Sequence, residues 1–277
     1  MLAELLPEVS DAELEQFMQV MLTQYGYDFR GYAPASLKRR LGAVIKKYGI
    51  PSLTILNQRL LTQPEYLRYF INEITVSTTE LFRDPSAWVA LRLQVFPALA
   101  NLSEIRIWHV GASTGEEVLS MAILLVETGL YDKAQIFATD IDEVSLEKAK
   151  MARYPLRMKG LYQQNFYGVF PLGNFEKYAK EEANHLVFDP SLLRNVRFVK
   201  HNIVTEEPFG QFDIIFCRNL LIYFTPTLQD RVVTKLVDSL VPGGILMIGT
   251  KESLFWCAAA KRLTAVNEVE RIYRKRK

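Results

Sequence analysis

The sequence predicts an α/β protein, with helices on both faces of a parallel sheet, a small inserted β-subdomain and an all-α domain in front. Three observations predict it. From residue 104 onward, short apolar runs alternate with helical patterns, the rhythm of a parallel sheet covered by helices. Before residue 75 nothing reads as a strand. Between 153 and 195 the rhythm breaks into a stretch rich in Tyr, Phe, Gly, Asn and Pro, with runs such as Val169-Phe170 and Leu186-Val187-Phe188. A structureless loop of that length is uncommon in a compact domain, so a subdomain of short strands is expected there.

The elements follow in order. Ser10 with Glu13 three positions later is a capping signature, and Leu14, Phe17, Met18, Met21 and Leu22 continue it at helical spacing. Leu37, Leu41, Val44 and Ile45 form a second stripe, ended by Gly49 and Pro51. Ser52 starts a third helix through Leu53, Leu56 and Leu60, and Pro64 opens a fourth with Tyr66, Phe70 and Ile74. Strands are expected at 105–110, 135–140, 196–202, 212–217 and 245–249, the last entered through a Pro242-Gly243-Gly244 turn. Helices are expected from Glu116 through Val126, from Val144 to Ala152 and from Leu228 to Leu240. The domains are placed at 1–75 and 76–277, with the insertion at about 153–195.

Composition narrows the function. A net charge of +2 provides no general field for nucleic acid. The first fifteen residues lack a basic n-region, and no run approaches roughly 18 apolar residues, so neither a signal peptide nor membrane insertion is expected. Cys217 and Cys257 lie too far apart for a disulfide framework, and the three histidines lack metal spacing. A cytoplasmic, metal-free monomer is the expectation.

The segment Phe212–Phe224 starts as a buried strand and breaks into Cys217, Arg218 and Asn219, with Tyr223 close behind. In open α/β sheets ligands sit outside the carboxyl ends of the strands, so this break marks a site. The first strand–loop–helix has only Gly111 and Gly115, which excludes the three-glycine dinucleotide fingerprint, and no phosphate-binding loop is present. Gly111 still lets a ligand approach the backbone. Glu116 and Glu117 at the helix start suit a cationic or amine-bearing ligand, such as a sulfonium with an amino-acid end. They equally complement the helix dipole. Asp140, ending the second strand, is placed to accept from ribose hydroxyls, or to cap the next helix if Asp142 does not. Asn202 fits either an adenine edge or a turn. Polar groups at the ends of four neighbouring strands, Asn219 included, point to an adenosine-type ligand.

Three motifs carry a resemblance: Ser77-Thr78-Thr79-Glu80-Leu81-Phe82-Arg83-Asp84, Ala112-Ser113-Thr114-Gly115-Glu116-Glu117, and Phe216-Cys217-Arg218-Asn219-Leu220-Leu221-Ile222-Tyr223-Phe224. In this order and spacing they resemble the chemotaxis receptor methyltransferases of the CheR type, over essentially the whole chain. The resemblance implies a Rossmann-like sheet using S-adenosylmethionine, with S-adenosylhomocysteine as product, to convert glutamate side chains of chemoreceptors into methyl esters. It also implies that Ser77, Thr79 and Arg83 contact the cofactor, that Glu117 lies near its amino-acid end, and that Asp140 takes the ribose. Asn202 with Ile203, and Arg218 with Asn219, would line adenine and methionine, and Arg83 and Tyr223 would lie nearest the transferred methyl. Ser77 stands where the family commonly has the longer Asn, Val118-Leu119 where it has Pro-Tyr, and His109-Val110-Gly111-Ala112 replaces a run of small residues.

A glutamate with a reference pKa of about 4.3 is already ionised at neutral pH, so this chemistry needs no general base and no thiol. Positioning and desolvation would supply the catalysis, and Cys217 reads as packing. Arg83 suits a carboxylate through its planar fork, or forms a surface ion pair with Asp84 or Glu80. Tyr223 either orients the acceptor oxygen or packs the core. Lys38, Arg39, Arg40, Lys46 and Lys47 give the second helix a basic face, which is a solvated surface or a dock for the acidic cytoplasmic helices of a chemoreceptor. Two other readings stand beside the receptor enzyme: a small-molecule methyltransferase, against which the helical domain argues, and a non-catalytic S-adenosylmethionine-binding signalling module. Near-neutral charge and the lack of an Asn-Pro-Pro-aromatic motif disfavour a DNA methyltransferase.

Overall fold

The computed structural model describes residues 9–75 and 79–277, so Ser77 lies outside the described residues. The chain begins with four helices: α1 (Asp11–Tyr25), α2 (Pro34–Lys47), α3 (Leu53–Thr62) and α4 (Tyr66–Ile74). Ser10 and Glu13 cap α1 reciprocally, each accepting the other's backbone N–H, and Gly26 ends the helix at φ 72°. Ser52 accepts from Ile55 N to start α3. Pro64 and Glu65 form a turn ahead of α4 rather than its first residues. The expected stripes meet in one core of Phe17, Met21, Leu41, Leu56, Leu60 and Phe70.

Two further helices, α5 (Pro85–Gln94) and α6 (Phe96–Leu99), occupy a stretch without an expected element. Then follow β1 (Ile105–Val110), α7 (Glu116–Glu127), β2 (Ala134–Asp140) and α8 (Glu143–Met151). The insertion comprises β3 (Arg153–Pro155), α9 (Lys159–Val169), β4 (Ala179–Glu182) and β5 (His185–Phe188). After it come β6 (Val196–Lys200), β7 (Phe212–Cys217), α10 (Pro226–Asp238), β8 (Leu240–Ile248), β9 (Leu263–Asn267) and β10 (Ile272–Lys275).

The main sheet has the order β6-β2-β1-β7-β8-β10-β9. The first five strands are parallel, as expected, but β10 runs antiparallel to both of its neighbours, β8 and β9, which makes the sheet mixed. Pro242-Gly243-Gly244 is likewise not a turn before a strand. β8 already pairs Leu240 with Phe212, and Gly243 at φ 84° lies where the register shifts before Ile214 meets Ile245. β6 stops at Lys200, so His201 and Asn202 stand beyond the ladder. The expected short strands form a second sheet, β3-β5-β4, fully antiparallel.

Alternation along the central strands splits the core in two. Ile107, Ile214 and Phe216 face α5, α7 and the insertion, while Trp108, Ile215 and Cys217 face α10. Buried Trp88 of α5 stacks on Phe216 with centroids 5.5 Å apart, which seats the residue 79–94 segment against the end of β7. The helical unit is joined to the sheet by backbone pairing of Tyr32 with Phe224, where Ala33 N donates to Tyr223 O (2.9 Å) and Thr225 N to Gly31 O (2.8 Å). A second joint is the bond from Asn72 Nδ2 to Asp142 Oδ2 at 2.6 Å. No helix among the described residues is long and apolar enough to cross a membrane.

Candidate active site

β1 is flanked by β2 on one side and β7 on the other, so the chain leaves its carboxyl end toward opposite sides of the sheet. A crevice opens at such a switch point. The cavity found there is walled by Gly111 after β1, Asp140 at the end of β2, Asn202 and Ile203 after β6, and Arg218, Asn219 and Tyr223 after β7. Seven of the residues singled out in the sequence thus converge. Thr79, Arg83 and Glu117 do not form part of this wall. Arg83 adjoins it through its carbonyl, which accepts from Arg218 Nη2 (3.2 Å) and from Trp88 Nε1 (3.0 Å).

The floor of the cavity is fixed by backbone bonds to side chains. Gly111 has φ 75°, a left-handed conformation that a side chain would strain, so glycine suits this turn. Asp140 accepts Ser113 N (2.8 Å) on one oxygen and Asp142 N (2.9 Å) on the other, and each oxygen keeps a lone pair for a ligand. Burial pushes its carboxyl up to about 6, against the pull of those N–H groups. Asp142 is the cap of α8, accepting from Val144 N at 3.0 Å. Asn202 makes the turn, its side-chain carbonyl accepting from Val204 N (3.0 Å), and it also lines the cavity.

The two glutamates at the start of α7 part company. Glu116 turns to the insertion, where Thr114 and Tyr162 donate to it at 2.7 and 2.9 Å, and burial raises its carboxyl above the usual range. It does not face the cavity. Glu117 receives bonds from His109 Nδ1 (2.9 Å) and Arg218 Nη1 (3.2 Å). Burial alone would raise the Glu117 carboxyl, but the His109 bond and the Arg218 cation hold it below the usual value. Arg218 also pairs with Asp84 (2.8 Å), so this one side chain joins the 79–84 segment, α7 and the end of β7.

Three contributors were not expected. Glu252, deeply buried, accepts N–H groups of Gly249 (2.6 Å), Asn219 (3.0 Å) and Ile222 (3.3 Å) and so shapes the loop that carries Asn219 and Tyr223. Tyr32 and Arg40 reach the wall from the helical unit. Arg40 therefore leaves the basic face expected along α2. It lies on the apolar stripe, three residues after Leu37 and four before Val44, and its guanidinium sits 3.9 Å above the Tyr223 ring. Lys38, half-buried, pairs with Asp11, while Arg39, Lys46 and Lys47, the last paired with Glu73, are the exposed part of that face. Cys217 is fully buried, and burial pushes its thiol well above the ordinary range, as a packing residue requires.

A carboxylate at one strand end, a backbone turn bared by glycine, an amide, and apolar walls from Val110, Ile203 and Leu220 suit a nucleoside with a charged tail. Residues 12–75 match the model of the CheR methyltransferase all-alpha domain, and residues 77–269 that of the CheR methyltransferase SAM binding domain. The chain belongs to the CheR methyltransferase family. It is 35% identical to a Pseudomonas putida protein named "Putative methyltransferase Cher3", over 96% of this chain and 97% of that one. It is 31% identical to a Chemotaxis protein methyltransferase of Listeria monocytogenes, over 86% and 88% of the two chains, and 30% identical to one of Vibrio anguillarum, over 89% and 90%. The protein is thus an S-adenosylmethionine-dependent methyltransferase of the CheR family, and S-adenosylhomocysteine is its product.

Proposed function

We propose that the protein transfers a methyl group to glutamate side-chain carboxylates of a chemoreceptor cytoplasmic domain, giving glutamyl methyl esters. The observation that carries this reading is the match of residues 12–75 and of residues 77–269 to the two CheR models, with relatives named chemotaxis protein methyltransferases along about nine-tenths of their length. S-adenosylmethionine, when bound, supplies an electrophilic methyl on a sulfonium. Asp140 takes the ribose hydroxyls, Asn202 and Ile203 the adenine, and Asn219 with Arg218 and Glu117 the methionine end, beside Gly111. Thr79 and Arg83 close the site from the segment that Arg218 holds. Tyr223 orients the acceptor oxygen. The acceptor is ionised at neutral pH, so these residues act by alignment and by excluding water, not by proton transfer.

The test is tritium transfer from labelled S-adenosylmethionine to a panel of receptor cytoplasmic fragments, with calorimetry against S-adenosylhomocysteine alongside. Transfer to at least one fragment is expected. Binding without transfer to any of them would make the protein a cofactor-binding signalling module instead. The exposed Arg39, Lys46 and Lys47 are our choice for docking the acidic receptor surface. Reversing Lys46 and Lys47 to glutamate should slow receptor methylation severalfold and leave S-adenosylhomocysteine affinity unchanged; an unaltered rate removes the role.

Asp140 makes the cofactor site pH-dependent. Its carboxyl is pushed up to about 6 in the free protein. The ionised form is the better acceptor for ribose hydroxyls, so protons compete with the ligand below that point. Affinity for S-adenosylhomocysteine is expected to be level above about pH 6 and to fall by up to about tenfold per unit below it. Asp140→Asn should bind more weakly but with a flatter profile, separating this step from Glu116 and Glu252, which burial also raises. Calorimetry showing the same acid-side fall in both proteins would exclude Asp140 as its source.

A further inference from the structure

Arg40 is the charged side chain of the cavity wall to which the cofactor reading gives no role. Its Nη1 donates to Ile74 O at 3.1 Å, which fixes one end of the guanidinium. The ring of Tyr223 supports its face at 3.9 Å. The opposite edge, formed by Nε and Nη2, is buried and has no hydrogen-bond partner among the described residues. These two N–H groups point the same way and form the side-on fork that matches the two oxygens of a carboxylate. Among the described residues no carboxylate pairs with Arg40, whereas Arg218, the other guanidinium of the cavity, has both Asp84 and Glu117. A buried cation with an open fork is costly unless an anion completes it. Burial also lowers the Arg40 pKa, which an arriving carboxylate would offset.

We propose that the Nε–Nη2 edge of Arg40 is the binding site for the acceptor carboxylate, with Tyr223 beneath the guanidinium as its support. This deepens, and rests on, the methyl-ester reading above. Two parallel N–H···O bonds hold both carboxylate oxygens, and each oxygen retains a second lone pair. From one of these the new bond forms to the methyl carbon as the bond from that carbon to sulfur breaks. The electron pair of the broken bond stays on sulfur, so a carboxylate and a sulfonium become a neutral ester and a neutral thioether, and no proton moves. The ester no longer matches the charged fork, which favours its release. The same fork selects an ionised glutamate over a glutamine at the methylated position. In this arrangement the helical unit contributes directly to the acceptor site.

The test uses the full chain with Arg40→Gln and Arg40→Lys. The readouts are tritium transfer to a receptor cytoplasmic fragment and the Kd for S-adenosylhomocysteine. Arg40→Gln should lower kcat/KM by about 100-fold, the loss typical of truncating one partner of a buried charge pair, while the Kd stays within about threefold. Arg40→Lys keeps the charge without the fork and should fall about tenfold. Wild-type turnover in Arg40→Gln overturns the proposal. A parallel loss of S-adenosylhomocysteine affinity overturns it too, since the fork would then hold the cofactor's own carboxylate. If Arg40→Gln does not fold, Arg40→Lys at the wild-type rate overturns it. If the wild type methylates no fragment, the functional reading fails, and the Arg40 site is judged by melting. Acetate, compared with chloride at equal ionic strength, should raise the Tm of the wild-type complex with S-adenosylhomocysteine and not that of Arg40→Gln; equal responses overturn it.

Discussion

Arg218→Leu is expected to lower the stability of the protein by about 3–5 kcal/mol and to abolish cofactor binding, the largest effect of any single change at the site. The Arg218 side chain is 1% exposed and donates to Glu117, Asp84 and the Arg83 carbonyl. Its removal leaves Glu117, already opposed by burial, with His109 alone as partner. It also frees Asp84, a left-handed residue at φ 56° that starts α5, so the 79–84 segment loses its anchor to β7. Arg218→Lys should be intermediate, because an ammonium cannot span both carboxylates. Urea unfolding at constant m-value measures the loss. A cost below about 1 kcal/mol would place the pair among solvent-screened surface bridges and refute its role as the tie between segments.

Glu252→Ala should cost about 3 kcal/mol, because up to three N–H groups lose a buried acceptor at roughly 1 kcal/mol or more each. Its Oε2 takes Gly249 N and Asn219 N, and Oε1 takes Ile222 N. Asn219 sits at φ 60°, a conformation that a non-glycine residue holds only when its surroundings enforce it. Without the carboxylate the Asn219–Tyr223 turn should relax, and methyl transfer should fall further than melting alone explains. Glu252→Gln should be milder in stability, since one acceptor oxygen survives, yet its NH2 must face a backbone N–H. A variant that melts earlier but turns over normally when folded would show that Glu252 supports the fold and not the site.

The strand ends were legible because the ladder period and the polar breaks coincide in sequence. Ile214, Ile215 and Phe216 announce a buried strand, and Arg218 and Asn219 mark where it stops. Gly111, Asp140 and Asn202 were readable on the same ground. Glu116 and Glu117 were read together, as ligand contacts or as partners of the helix dipole, although neighbours on a helix point about 100° apart and cannot serve one face. Arg40 was also legible in principle, since its spacing from Leu37 and Val44 puts it on the buried stripe; its charge suggested solvent instead. Glu252 carried no local signal. Beyond nearby Gly249, its partners Asn219 and Ile222 lie 33 and 30 positions away in a loop whose shape exists only in the folded chain. The β9–β10 hairpin was missed because each strand is four or five residues long and only half-buried.

The central claim is that the methyl group ends on a carboxylate oxygen, and the stability of the product bond tests it most directly. A receptor cytoplasmic fragment labelled with tritiated S-adenosylmethionine should be treated with mild alkali and the volatile fraction counted. A glutamyl methyl ester hydrolyses to methanol, so the label should leave the protein as a volatile product. Label that stays on the fragment through the alkali step would mean transfer to nitrogen or another stable acceptor, and would contradict the glutamate assignment.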